Sequence, residues 1–166
     1  MIVARTHLDL HNIRGSIERT KKLSDNVVGV GPLGVGLDAV LNLVPGAGAI
    51  YSLMAGLLLL LDGIRAKAAP MVLVQMTGIL AVDTIAPLTG KLGSVADVLF
   101  TGHKWSADML LKHMEETIYF EGTREEALNS AEYRDLMARV RAGKESRRVV
   151  FLGGEGRRKK PAAPAA

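Results

Sequence analysis

The chain has 166 residues, of which 48% are apolar and only 4% aromatic, and its net charge is +4. This length predicts a single domain, and the lack of cysteine excludes disulfides, thiolate chemistry and cysteine-based zinc sites. Only seven charged residues lie within 27–103, and Ala39–Leu61 has none. Such a pattern is typical of a chain whose centre lies in a membrane or is buried on most sides.

The first predicted element is a polar helix over residues 7–23, which the turn-forming cluster Ser24-Asp25-Asn26 ends. Four glycines and a proline within Val27–Gly36 predict an ordered loop there. A short apolar helix is predicted over Leu37–Val44. The segment Pro45-Gly46-Ala47-Gly48 breaks that helix, because proline restricts the residue before it and glycine permits a sharp turn.

A helical hairpin is predicted over residues 47–86. Its first helix runs to about residue 68, and at about 1.5 Å per residue such a helix matches the ~30 Å hydrocarbon core of a bilayer. Arg65 and Lys67 lie in its last turn, where cations suit the helix dipole. Pro70 suits the first turn of the second helix, 70–86.

The remainder of the chain is predicted to be amphipathic. A helix that starts at Leu92 gains a polar face after Lys104 and ends at Gly122. Thr123 and Glu126 fit a capping box for another helix, which Gly143 ends. A disordered basic tail is predicted after it, since residues 143–166 carry a net charge of +5 and the last ten cannot form a core.

The predicted fold is all-α, with short-helix/long-helix units broken by proline and glycine around the hairpin. A shift of 45 residues places Asp38 on Asp83 and Gly48 on Gly93, and this indicates a pseudo-repeat. The predicted regions are a polar N-terminal helix, an apolar helical core, a C-terminal amphipathic helix and the basic tail, over 1–26, 27–122, 123–143 and 144–166 respectively.

Small residues mark one face of the first hairpin helix. Gly48, Ser52 and Gly56 stand four residues apart, and Gly63 follows two turns later. Residues of this size let two helix backbones approach closely, which is a main source of helix association in lipid. A tight hairpin in a soluble core rich in glycine and alanine is the alternative interpretation.

Isolated acids and one tryptophan are the other notable residues of the apolar zone. Asp62 and Asp83 lie near helix ends, and Asp38 and Asp97 lie near breaks. Ionisable groups in such a zone suggest an ion or proton pathway, although helix capping and solvation explain them equally well. Trp105 is predicted to be an interfacial anchor where an apolar helix meets water, with a core tryptophan as the alternative.

The sequence contains no convincing catalytic constellation. Gly29–Gly34 matches the glycine pattern of a dinucleotide site, but Pro32 interrupts the turn and no βαβ alternation follows. His7 and His11 are four residues apart, but no third metal ligand is evident. No catalytic residue, cofactor or metal site is therefore predicted.

The segment Gly36–Gly48 reads GLDAVLNLVPGAG and resembles the signature of the family catalogued as domain of unknown function 4112. A second copy of that pattern is similar to the region of Asp83, Gly93, Asp97 and Phe100. The resemblance covers roughly residues 25–115 and implies a small, helical, mainly bacterial, membrane-associated protein with no established activity. The family-motif residues that it marks are Asp38, Pro45, Gly46, Gly48, Asp83, Gly93 and Asp97.

The chain departs from this family pattern at a few positions. Ala49 and Ser94 stand where the family usually has an acid, and Gly90 stands where it has a second proline. Thr101 and His103 replace its usual basic residue and asparagine. If those acids and amides form a polar site in the family, part of that site is lost here.

These patterns predict a non-enzymatic helical membrane protein that is embedded through the hairpin, with cytoplasmic termini. The resemblance implies that the membrane is a bacterial inner membrane. The expected partners are the lipid bilayer, anionic lipid at the basic tail and further copies of the chain, with no nucleic acid. Arg65 and Lys67 at the hairpin tip conflict with a fully crossing hairpin, and a hairpin that dips in without crossing removes the conflict. Two alternatives stay open: a small ion or solute transporter or channel component that uses Asp62 or Asp83, and a soluble helical bundle that binds an apolar ligand or partner.

Overall fold

The computed structural model describes residues 3–28, 47–85 and 95–154, with side chains over 3–23, 50, 53–82 and 102–154. These residues form mostly helix and one small sheet. The helices are α1 His7–Val28, α2 Ala47–Arg65, α3 Pro70–Ile85, α4 Val95–Glu115, α5 Arg124–Leu128 and α6 Ala131–Arg141, and the strands are β1 Thr117–Phe120 and β2 Arg148–Phe151. The mainly helical fold confirms the predicted all-α class.

The chain divides into two compact units. The first comprises Met1–Ala4 and Leu8–Glu115 and contains nearly all of α1 together with α2, α3 and α4. The second comprises Arg5–His7 and Glu116–Ala166 and contains both strands with α5 and α6.

In the first unit α2, α3 and α4 pack against one another. Helix α1 is tied to α4 by two ion pairs, Arg14–Glu115 at 2.7 Å and Lys21–Asp108 at 2.5 Å. Exposed pairs of this kind contribute about 0–1 kcal/mol each, so burial of apolar side chains supplies most of the stability. The most deeply buried apolar side chains of this unit are Ile13, Ile17, Leu59, Ala66, Met76, Ala107 and Leu110.

The observed helix ends refine the predicted ones. Helix α1 continues through Ser24-Asp25-Asn26 to Val28, so the predicted turn at that cluster is wrong. Poor helix formers cost only a few tenths of a kcal/mol each in a helix, which is not enough to stop an established one. Helix α3 runs from Pro70 to Ile85, as predicted to within one residue. The predicted short helix over 37–44 lies outside the described residues.

Replacing Gly78 by alanine is expected to raise the free energy of unfolding by about 0.5–1 kcal/mol, because glycine inside a helix adds backbone freedom to the unfolded chain. Apart from the adjoining residues and the nearby backbone of α3 itself, no heavy atom of the described residues lies within 4 Å of the position of the new β-carbon. Denaturant titration measures the change. Gly63→Ala is the control, since its β-carbon would lie 2.8 Å from Leu73 Cδ2. A Gly78→Ala chain no more stable than the parent would contradict the prediction.

The second unit departs most from prediction. Residues 117–120 form β1 rather than the end of a helix that reaches Gly122, and β1 pairs in parallel with β2 in the register Thr117↔Arg148 to Phe120↔Phe151. The predicted disordered tail from residue 144 is therefore wrong over 148–151. β-branched and aromatic side chains in both segments suit a half-buried strand, and each strand obtains its hydrogen bonds from the other.

Two short helices connect the strands. Thr123 caps α5 by accepting the amide of Glu126, whose carboxylate accepts the Thr123 amide at 2.7 Å, and this confirms the predicted capping box. Ser130 caps α6, so the single predicted helix is two. Gly143 follows α6 with a φ of 68°, a conformation that favours glycine at a helix end.

A small aromatic core holds the second unit together. The ring of Phe120 lies 5.6 Å from that of Tyr133, edge to face, and Phe151 completes the trio at 6.1 and 5.8 Å. Ala127 and Leu136 are buried against them. Aromatic pairs at these distances add about 0.5–1.5 kcal/mol beyond their area burial. One face of each strand is thereby covered by the connecting helices.

A carboxylate just before β2, on a side chain that is 10% exposed, is more acidic than usual. Hydrogen bonds from the Arg147 guanidinium and from the Arg147 and Ser146 amides lower the pKa of Glu145 from 4.5 to about 2. Its contribution to stability is therefore complete above pH 4.5 and is lost as the pH falls through about 2. Carboxyl chemical shifts measured by NMR should show this titration. In Arg147→Gln the pKa should move back toward 4.5, and an unchanged value would rule out this cause.

Candidate functional site

Helix α2 exposes a row of large aliphatic side chains. Their spacing of three and four residues places them along one side of the helix, and between 45% and 67% of each residue's surface is exposed. These residues are Ile50, Leu53, Met54, Leu57, Leu58, Leu61 and Ile64. Isolated exposed leucines are ordinary in proteins, but an aligned apolar set of this size marks a binding surface.

Helix α3 adds to this exposure. Met71, Val74 and Val82 are 66–67% exposed, at spacings of three and eight residues that correspond to one side of a helix. We call the exposed aliphatic residues of α2 and α3 together the apolar hairpin surface. The sequence analysis identified the apolar helices but not this surface.

The opposite side of α2 is closely packed, and two glycines make this possible. A β-carbon at Gly56 would lie 3.4 Å from Leu80 on α3 and 3.4 Å from Nε2 of His103 on α4. One at Gly63 would lie 2.8 Å from Leu73 on α3. The pairs 56/80 and 63/73 show that α2 and α3 are antiparallel. The missing side chains therefore let α2 approach its neighbours and turn its large residues outward.

The turn between α2 and α3, Arg65–Ala69, forms the hairpin tip. The amides of Lys67 and Ala68 bond back to the carbonyls of Ile64 and Gly63, at 3.0 and 2.9 Å. This pair of hydrogen bonds ends the helix. It is usually found with glycine at the position of Lys67, whose φ is 53°. The amide of Ala69 donates to Nε2 of His113 on α4 at 3.1 Å. The tip is thus tied to the rest of the first unit.

Asp62 is the buried charge of the hairpin, with 2% of its surface exposed. Its Oδ1 accepts from Nη1 of Arg65 at 3.0 Å. Among the described residues neither Asp62 Oδ2 nor the buried hydroxyl of Ser106 on α4 has a hydrogen-bond partner. A carboxylate in apolar surroundings requires a counter-charge, and Arg65 supplies it at the surface end of the helix.

Of the three residues predicted to pack helices together, Gly48, Ser52 and Gly56, the structure describes the surroundings of one. Gly56 is described, and it lies where α2 meets both α3 and α4. Gly48 and Ser52 lie within α2, but their side chains fall outside the described part of the chain. The role of all three in packing within lipid stays a prediction.

The family-motif residues lie almost entirely outside the described side chains. Asp83 belongs to α3 and Asp97 to α4 by backbone. Asp38, Pro45, Gly46 and Gly93 are not among the described residues.

Trp105 lies on α4 and is 61% exposed. A large amphipathic ring in this position suits an interface between apolar material and water. The alternative, a tryptophan in the core, is excluded by the exposure. Its predicted role as an interfacial anchor stays a prediction.

The second unit contains a pocket of about 340 Å³. Two of its three acidic lining residues, which are Glu121, Glu126 and Glu132, already have local roles. Glu126 forms the capping box, and Glu121 accepts the His7 amide at 2.6 Å. Over the described residues no group of three or more histidine and acidic side chains is arranged to hold a metal ion. This pocket is therefore a weaker candidate than the apolar hairpin surface.

Comparison with known proteins gives a family and no function. A family model described as a domain of unknown function (DUF4112) matches residues 13–114. This range covers most of α1, all of α2 and α3 and nearly all of α4, but not the sheet. No curated protein and no solved structure matches the chain. Within the described residues no helix is both long and apolar enough to cross a membrane.

Proposed function

The chain belongs to the family of domain of unknown function DUF4112, and we propose that it is a non-enzymatic, membrane-associated protein that binds one face of a lipid bilayer. The observation that carries this proposal is the apolar hairpin surface, which exposes ten large aliphatic residues of α2 and α3. The resemblance stated from the sequence is confirmed by the family match. A bilayer is a partner that fits rows of exposed aliphatic side chains on helices.

The energy available from this surface is substantial. Full burial of one large aliphatic side chain is worth about 1.5–3 kcal/mol, so a residue that is half exposed gains roughly 1 kcal/mol on entering lipid. The seven such residues of α2, which lie along one side of that helix, give on the order of 7 kcal/mol before the costs of ordering and association.

The dimensions favour a hairpin that lies in the membrane surface. The exposed row from Ile50 to Ile64 extends about 21 Å at 1.5 Å per residue, less than the ~30 Å needed to cross the hydrocarbon core. A helix that lies along the interface inserts its apolar face about 5–10 Å deep. Arg65 and Lys67 then stay at the side from which the hairpin enters. We propose the cytoplasmic side of a bacterial inner membrane for this location.

Membrane fractionation tests the proposal directly. The full chain is expressed, membranes are washed with alkaline carbonate, and the purified protein is separately floated with phospholipid vesicles. Retention after washing together with flotation would support an inserted hairpin. Release by carbonate combined with flotation would support a more superficial contact. The proposal would be overturned if the protein were absent from the membrane fraction and also failed to float with the vesicles. That result would favour an apolar ligand or protein partner for the same surface.

A further inference from the structure

The exposed side of α3 has a notch at its centre. Gly78 lies four residues after Val74 and four residues before Val82, so it shares one side of the helix with these two exposed valines. Gly78 is itself exposed, and apart from its chain neighbours and the nearby backbone of α3, no heavy atom of the described residues lies within 4 Å of where a β-carbon would stand. We call Met71, Val74, Gly78 and Val82 the α3 face.

Contacts among the described residues do not account for glycine at position 78. Glycine weakens the interior of a helix relative to alanine. At Gly56 and Gly63 of α2 this weakness is offset, because both glycines lie against neighbouring helices and let the backbones approach. Gly78 offers the same close approach on the exposed side of α3. A helix from outside this molecule is the element that such a notch accommodates.

The α3 face points away from the exposed row of α2. Helices α2, α3 and α4 each contact the other two, and packed helix axes lie at similar distances of about 8–10 Å. The three axes therefore form a nearly equilateral triangle, whose outward sides diverge by about 120°. A flat bilayer that receives the α2 row leaves the α3 face directed sideways along the membrane. A neighbour bound to the same side of the bilayer can reach it.

We propose that two copies of the chain pair through their α3 faces on the membrane surface. This inference rests on the proposed function, since the bilayer holds both copies at one depth, and it adds the partner. A two-fold axis along the membrane normal relates the copies, so both α2 rows enter the same bilayer. Because the helices lie in the membrane plane, this axis makes the two α3 helices antiparallel. Gly78 then lies opposite Gly78, and Val74 of each copy lies beside Val82 of the other.

A second copy suits the α3 face better than a charged partner does. No charged residue occurs within 68–82, so this part of the chain offers no ionic complement to a partner. Burial of apolar groups alone does not drive helices together in lipid, where close packing at small residues does. The α3 face supplies both an aliphatic ridge and a notch, which are the two halves of a self-complementary contact.

The size of the α3 face predicts where the copies pair. Its three aliphatic residues are 66–67% exposed. Together they offer on the order of 300–400 Å² per copy, about half of the ~800 Å² per partner that is typical of stable complexes in water. The chain is therefore expected to be monomeric in dilute aqueous solution. Pairing is expected on the membrane, where confinement raises the effective concentration of the chains.

Cysteine cross-linking tests the pairing, because the chain contains no cysteine of its own. The full-length double variant Val74→Cys/Val82→Cys is bound to phosphatidylcholine vesicles at a low protein-to-lipid ratio and oxidised with copper phenanthroline. Within one helix the two positions are about 12 Å apart, too far for an internal disulfide. We expect a disulfide-linked dimer in vesicles, and about tenfold less of it in buffer or with either single variant, whose thiols the antiparallel arrangement keeps apart.

Gly78→Ile tests the notch in the same cysteine background. A branched side chain fills the notch and holds the two α3 helices apart, and such overpacking is costly. We expect about a tenfold or greater loss of cross-linked dimer. Gly15→Ile is the matched control on α1, where the β-carbon would lie 3.6 Å from the flexible end of the Arg19 side chain. It should leave cross-linking unchanged, and thermal unfolding shows whether both variants are folded.

The outcomes separate this inference from the proposed function. Cross-linking of the double variant that Gly78→Ile removes, while flotation with vesicles is unchanged, supports the pairing. Cross-linking that is equally strong in the single variants or unaffected by Gly78→Ile would reflect random collision and overturn the pairing. A double variant that floats without cross-linking would also overturn it and assign the α3 face to lipid or to another protein, while membrane binding stands. Failure of the parent chain to float overturns both.

Discussion

Replacing Leu57 and Leu61 together by glutamine should lower the affinity of the chain for neutral phospholipid vesicles about 100-fold. Both residues lie on the exposed side of α2, with 47% and 49% of their surface accessible. At each site the change removes roughly 1 kcal/mol of apolar transfer and adds about 0.5 kcal/mol or more for moving an amide toward lipid. The sum, about 3 kcal/mol, corresponds to two factors of ten. Flotation at several lipid concentrations measures the affinity.

A matched pair of substitutions controls for general loss of apolar surface. Leu8 and Leu23 lie on α1 and are 68% and 48% exposed. Replacing both by glutamine removes the same chemical groups from outside the hairpin, and we expect less than a twofold change in affinity, about 0.4 kcal/mol. Thermal unfolding should show that both double variants stay folded, because exposed substitutions usually change stability by no more than about 0.5 kcal/mol. Equal losses of binding in the two variants would assign the lipid contact to the whole molecule rather than to the hairpin.

The hairpin was predictable because its signals are local. Pro70 is the first residue of α3, which is the helix position that proline prefers. The uncharged run that precedes it in the sequence predicts an apolar helix. The leucines of α2 do not indicate which side faces outward, because leucine fills every position from 57 to 61. The small residues marked the packed side in the sequence, and the structure places Gly56 and Gly63 against neighbouring helices.

The sheet was missed for a different reason. Ile118 continues the apolar spacing of α4, so residues 117–120 resemble the end of that helix in the sequence. Their strand conformation depends on pairing with 148–151, about thirty residues away in the chain, and no local pattern reports such a partner. The same dependence explains why residues 148–151 were assigned to a disordered tail. The bond between Ala69 and His113 likewise joins residues far apart in sequence.

The pairing of the strands also brings a glycine of the second unit against the backbone of another segment. The amide of Gly153 donates to the carbonyl of Gly122 at 2.5 Å, directly beyond the last paired residues. A β-carbon at Gly153 would lie 2.5 Å from the Gly122 carbonyl oxygen and 2.7 Å from the Thr123 amide nitrogen. These are backbone atoms, so no rotamer change relieves the overlap. The two segments can accept a side chain here only by separating.

Replacing Gly153 by valine is therefore expected to unfold the second unit. Forcing two backbones apart costs about 3 kcal/mol or more, and at roughly 0.1 kcal/mol per residue so small a unit has only a few kcal/mol of stability. Amide hydrogen exchange should show loss of protection across β1 and β2, while the amides of α2 and α3 keep theirs, since the hairpin belongs to the other unit.

Gly154→Ala provides the control for this prediction. Its φ is 83°, and apart from its two chain neighbours no heavy atom of the described residues lies within 4 Å of the new β-carbon. Conformational strain of about 1–2 kcal/mol is the only cost, so we expect exchange in β1 and β2 to accelerate without complete loss of protection. Should Gly153→Val retain the protection of the parent chain, the close approach of Gly153 to Gly122 would not be needed for folding. If the two variants lost protection equally, the cause would be the backbone conformation at the end of β2 and not the contact between the strand ends.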